Sequence, residues 1–362
     1  MLDLLARNPG NAALLTLGAI ALVLLLLRSR WAAALAALGL IVLVELPHFA
    51  SNYVISLFIL LYANIALATA WAFFSGATRY ISLATAAFFG VGIYALAIGH
   101  SYLPIPLALL AAAVVGFLVA VVVGFSTLRL RGVYFVVFTF GLTELLHQLI
   151  NWVEIKNRTV TRYIFADVHN ANIYATLLAV ALLTILGSWY VGRSRLGFAL
   201  RAIGEDETVA RHTGIDTTLV KVLCFAASAS FIALVGAVLA LRYDYIDASI
   251  AFNNAWSFEV LIAALLGGPG RAWGPAVGAI PLVLLKEYLA GSRYFSIALG
   301  LCFVVIVYLI PGGISPLIER YYRPRDWPRA FQAGSQHVRR LGADTASWLK
   351  AGYARLNGQR KM

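Results

Sequence analysis

The sequence predicts an all-α, polytopic integral membrane bundle of about 10–11 transmembrane helices, and three observations predict it. Mean hydropathy is +0.84, and 12% of residues are charged, about half the proportion in soluble globular domains. Apolar runs recur along nearly the whole chain. Lysine and arginine gather in the gaps between the runs and in the tail, as they do when inner loops are positive. The formal charge of +12 therefore reports membrane topology, and nucleic acid is excluded as a partner.

The runs fall at about 11–27, 31–47, 52–74, 80–99, 104–126, 132–152, 171–192, 217–242, 254–267, 273–290 and 295–311. The first ends at Arg28 and Arg30 with no small-residue cleavage site, so it reads as a retained anchor. The run at 80–99 carries Gly90, Gly92 and Gly99 and is expected to be re-entrant or broken. Those at 254–267 and 273–290 read as a tight pair around GGPGRAWG, with Gly274 and Gly278 four apart, a spacing that lets helices approach closely. The polar loop 153–170 offers a landing surface for a soluble partner and is equally compatible with ordinary solvation. Cys224 and Cys302 lie inside apolar runs and read as small buried hydrophobes.

Between two runs stands a long polar stretch, Arg193 to Lys221, in which Arg193, Arg195, Arg201 and Arg211 face Glu205, Asp206, Glu207 and Asp216. Phe198, Ala199, Ala202, Ile203, Val209 and Ala210 give it a broken apolar stripe. The pattern predicts two short helices about a turn at Gly204 and a cytoplasmic docking element. Placing this loop in the cytoplasm and letting the chain alternate puts 21 of the 28 lysines and arginines on its side of the membrane. Seven (Arg7, Lys156, Arg158, Arg162, Arg242, Lys286 and Arg293) fall on the other. The same alternation leaves the C-terminus in the cytoplasm. After Pro311 the chain exits, and Val338, Leu341, Thr345, Trp348, Leu349, Tyr353 and Leu356 share one helical face among basic residues. Such a face suits an anionic leaflet and equally a frayed tail.

Ionisable and amide groups inside a bilayer are costly, so each is a candidate for the solute path. Glu144 and His147 lie one turn apart in FTFGLTELLHQLINW. Asn64, Ser82, Thr85, Asn254 and Glu259 complete the set. Two readings stand: a water-filled lining near the bundle axis, and interhelical hydrogen bonding that holds the bundle together. There is no G-x-x-x-x-G-K-[ST], H-E-x-x-H or G-x-S-x-G, and no cysteine–histidine cluster. The chain therefore has no nucleotide-phosphate loop and no recognisable catalytic or metal set. No cofactor is expected, and driven work must draw on another polypeptide or an ion gradient.

The run LRAIGEDETVARHTGIDTTLVKVLCFAASASFIALVGAVLA resembles the signature segment of the branched-chain amino-acid ABC transporter permeases, M-type subunit, a family shared with the ribose-type permeases. ISLATAAFFGVGIYAL, TLRLRGVYFVVFTFGLTELLHQLIN and EVLIAALLGGPGRAWGPAVGA extend the match in order. Ala84 stands where the family has glycine, Arg79 where an uncharged residue is usual, and a Thr-Gly-Gly run after Trp152 is missing. The resemblance implies an ABC importer permease fold over 51–316, preceded by an N-terminal transmembrane extension (1–50) and followed by a basic cytoplasmic tail (317–362). It implies that Leu200, Arg201, Ala202, Ile203, Gly204, Glu205, Asp206 and Glu207 line an ATPase-coupling helix, closed by Gly214 and Ile215. It also implies a homologous second permease subunit, two ATPase subunits, a soluble solute-binding protein and alternating access in a bacterial inner membrane. The family extends to permeases for urea and amides. A secondary transporter with Glu144 or Glu259 as coupling acid is the alternative from the residues alone, and a membrane scaffold or enzyme is a third.

Overall fold

The computed structural model describes residues 49–130, 132–158, 162–163 and 168–289, with a few isolated positions outside these. The apolar run at 11–27, most of 31–47, almost all of 295–311 and the basic tail lie outside the described residues.

Each of the eight apolar runs between 52 and 290 holds a helix. In chain order these are α1 (Asn52–Thr78), α2 (Thr85–Gly99), α3 (Ile105–Thr127), α4 (Val133–Asn157) and α5 (Asn170–Arg193). Two short helices follow, α6 (Arg195–Glu205) and α7 (Glu207–His212), then α8 (Thr217–Ala240), the single turn α9 (Ala248–Ala251), α10 (Ala255–Gly267) and α11 (Gly274–Tyr288). Among the described residues six stretches are long and apolar enough to cross a membrane: α1, α3, α4, α5, α8 and Ala248–Gly267. The protein is an all-α, multi-pass membrane bundle. One two-residue antiparallel pairing interrupts it, β1 (Arg162–Tyr163) with β2 (Tyr245–Ile246), Arg162 opposite Ile246.

Two helices form the centre. Of the most apolar stretch of each helix, 72% is buried in α8 and 61% in α1, against 22% in α4. Small residues make this possible. A methyl on Gly92 of α2 would collide with the Ala233 carbonyl of α8, and one on Gly236 with the Phe89 carbonyl, so these two backbones touch without intervening side chains. Gly278 of α11 sits equally close on Gly267 of α10, giving the tight pair that the glycine spacing predicted.

The run at 80–99 is broken near its start and not at its glycines: α2 is continuous through Gly90 and Gly92. The break lies before it. Residues 79–84 leave helical geometry after Arg79, which adopts a left-handed φ of 60°. Unpaired buried backbone groups are expensive, and three side chains from three helices satisfy them here. Trp71 donates its indole N–H to the Ser82 carbonyl at 2.7 Å. The Leu83 N–H donates to Thr139 Oγ1 at 3.0 Å. Ser257 Oγ donates to the Leu83 carbonyl at 2.8 Å and accepts from the Ala86 N–H at 2.9 Å.

Candidate functional site

Short polar side chains build the 193–221 segment by capping. Ser194 Oγ accepts from the Gly197 N–H and starts α6. Asp206 ends α6 in an extended conformation, φ −153° and ψ 112°, and its carboxylate accepts from the Thr208 and Val209 N–H groups to start α7. Asp216 does the same for α8 through Leu219 N–H. A side-chain oxygen that satisfies two orphan donors stabilises a helix start by about 1 kcal/mol. The turn expected at Gly204 therefore falls two residues later. Gly204 is helical, and its missing side chain serves contact, because a methyl there would strike the Ala77 carbonyl at the end of α1. Gly214, at φ 86°, turns the chain out of α7, and the Ile215 N–H returns to the Ala210 carbonyl.

The acids and arginines of the segment mostly find partners outside one another. Glu207 is the hub. Its carboxylate receives Lys221 Nζ at 2.8 Å, the Tyr80 hydroxyl at 2.7 Å and the Thr217 hydroxyl at 3.3 Å. Arg211 stands 3.5 Å away. The Glu207 and Lys221 side chains are only 8% and 3% exposed. Lys221 also donates to the Leu128 carbonyl at 3.0 Å, so one buried ion pair joins α7, α8, the end of α3 and the 79–84 segment. Glu205 pairs with Arg79 at 2.6 Å, but both side chains are mostly exposed (73% and 65%), which holds the pair below about 1 kcal/mol. Arg201 donates to the Gly192 carbonyl at 2.7 Å.

Leu200, Ile203 and Ala210 are buried against the bundle, and Ala202 is partly buried. Phe198 is 67% exposed and Val209 58%, so the apolar stripe divides into an anchoring half and a presented half. Tyr80 and Lys221 were not among the sequence-derived site residues. Lys221, a lone lysine at the start of an apolar helix, carried a signal; Tyr80 carried none, because its role depends on where α1 ends.

The candidate path residues do not converge. Ser82 and Thr85 line one small cavity with Trp71, Ser75, Phe225 and Ser228. Its volume of about 10 Å³ is near the space one ordered water needs, and the buried Ser75 and Thr85 hydroxyls lack protein partners there. Asn64 is buried in α1 and donates to the Leu60 carbonyl of its own helix at 2.9 Å. Glu144 sits on the outer side of α4, with 52% of its side chain exposed. It accepts from Gln148 at 2.7 Å and lies 3.6 Å from His147. Asn254 precedes α10, with its Oδ1 buried and unpartnered. Glu259 receives two hydrogen bonds from Lys286, at 2.8 and 2.7 Å, and the same ammonium lies 4.9 Å from the Trp256 ring.

The family model for the "branched-chain amino acid transport system / permease component" matches residues 53–309. The chain is 27% identical over 285 residues to the high-affinity branched-chain amino acid transport system permease protein LivM of Salmonella typhimurium, covering 67% of this chain and 65% of that one. The figures for LivM of Escherichia coli (strain K12) are the same. LivH of Escherichia coli (strain K12) is 31% identical over 151 residues, 40% of this chain and 47% of LivH. The chain thus spans just under two thirds of the LivM relatives' length. No solved structure matches it. A membrane bundle whose described helices fall almost entirely within the matched span belongs to the branched-chain amino-acid transport permease family.

Proposed function

We propose that the chain is the membrane-spanning permease subunit of an ATP-driven ABC importer for branched-chain or related amino acids. Its partners in this reading are a homologous second permease, two ATPase subunits and a soluble solute-binding protein. The membrane is the bacterial inner membrane, with the C-terminus in the cytoplasm. The observation that carries the reading is the α6–α7 element. It presents Phe198, Val209 and Leu196 to the exterior while Glu207 and Lys221 bolt it to the ends of the spans. A chain without a phosphate-binding loop needs such a lever if its movement is driven from outside. ATP-driven closure of the partner ATPases would move this element as a body, and the buried ion pair would pass the displacement to α8, the most buried of the long spans.

Glu144 supports a second subunit beside α4. A half-exposed carboxylate in the middle of a span is incompatible with hydrocarbon. That face of α4 is therefore turned to water or protein, as it would be opposite a second permease subunit. Uptake of radiolabelled leucine into vesicles holding the protein with its co-purifying subunits tests the proposal. Uptake should require ATP on the ATPase side and survive collapse of the proton and sodium gradients. Uptake that follows the gradient and ignores ATP depletion would instead make this a secondary transporter.

A further inference from the structure

We propose that the basic pocket where α3 ends and α8 begins binds the phosphate group of an anionic membrane lipid. A cavity of about 160 Å³ opens there, lined by Leu128 and Arg129 after α3, Glu207 and Arg211 on α7, and Thr218 and Lys221 on α8. That is about ten times the space one ordered water needs. Three cations face one carboxylate. Glu207 already holds Lys221 at 2.8 Å, so the excess positive charge rests with Arg129 and Arg211. Arg211 meets its two protein partners only at 3.5 and 3.4 Å, and a guanidinium carries five donors in a fork that matches phosphate oxygens. Thr218 belongs to the first turn of α8, whose N-terminal dipole adds to the same field.

The surroundings favour a lipid over a free anion. Leu110, Val114, Leu118, Val122 and Phe125 are all exposed and, three or four residues apart, form one row along α3. The row ends at Phe125, which itself lines the pocket. An acyl chain laid along it would leave its headgroup at Arg129. The 23 residues of α3 extend about 34 Å, against a hydrocarbon core of about 30 Å. The pocket therefore sits at headgroup depth, where basic clefts between spans hold anionic lipid. Glu207 and Lys221 line this pocket and also anchor α6–α7, so anionic lipid content would set how firmly that element is held. The inference does not depend on the transported solute or the energy source.

The test uses the full-length protein in nanodiscs of dioleoylphosphatidylcholine, alone or mixed with dioleoylphosphatidylglycerol. Native mass spectrometry of the protein released from the mixed discs reads which lipid stays bound. Phosphatidylglycerol should be retained over phosphatidylcholine on the order of thirtyfold, from about one charge contact for each of the two arginines. The preference should vanish in Arg129→Gln/Arg211→Gln and persist in Arg129→Lys/Arg211→Lys. Equal retention of the two lipids by the wild type overturns the proposal, whether or not the glutamine variant folds. So does undiminished preference in a folded glutamine variant. Inorganic phosphate raising Tm in pure phosphatidylcholine discs, with no lipid preference in mixed discs, would give the pocket to a free oxyanion and refute the lipid.

Discussion

Glu205 and Glu207 are two residues apart and carry the same charge, yet their surroundings give them different work. Glu207 is buried with Lys221, and removing one partner from a buried pair leaves the other charge uncompensated. Glu207→Gln should therefore lower stability by about 3 kcal/mol. Glu205→Gln, on the exposed Arg79 pair, should cost less than about 1 kcal/mol. Thermal unfolding of both variants in one detergent measures the difference, and equal shifts would mean that Glu207 is not the hub. The same contrast bears on the proposed coupling: exposed Glu205 would be the acid free to meet an ATPase subunit in that reading, whereas Glu207 ties the element to its own bundle.

At the scale of elements, the 79–84 segment decides how α1 and α2 are connected. Its backbone polar groups depend on Trp71, Thr139 and Ser257, each from a different helix, so the turn cannot form before those helices have met. Ser257→Ala removes a donor for the Leu83 carbonyl and an acceptor for the Ala86 N–H, leaving both groups unpaired in a buried site. A loss of about 1–3 kcal/mol follows, read as a fall in Tm and as earlier proteolysis near residue 80. Unchanged stability would show that water reaches the segment. The capping serine and aspartates of α6, α7 and α8 contrast with this, because each acts within three residues of itself and can be recognised locally.

For the whole molecule, the topology makes a definite demand. All the groups joined by the buried ion pair, from the end of α3 to the start of α8, lie at one end of the bundle, and the proposed function puts that end in the cytoplasm. A Thr208→Cys variant lacking Cys224 and Cys302 should react with a membrane-impermeant maleimide in inside-out vesicles and resist it in right-side-out ones. Labelling from the periplasmic side would invert the bundle and remove the docking role from α6–α7.

The sequence by itself determined that this chain is a multi-pass helical bundle, where its helices between 52 and 290 lie, and that a polar element of two short helices interrupts them. Long hydrophobic runs and short polar side chains beside helix starts are local facts, independent of what packs against them. Only the tertiary structure decided that Gly204 is a contact glycine inside a helix, that Glu207 reaches Lys221 and Tyr80, and that Glu144 stands apart from Ser82 and Thr85. In a membrane every helix is apolar nearly all round, so periodicity does not reveal which face turns inward. Which polar groups meet is then settled by close backbone approach at residues such as Gly92 and Gly236.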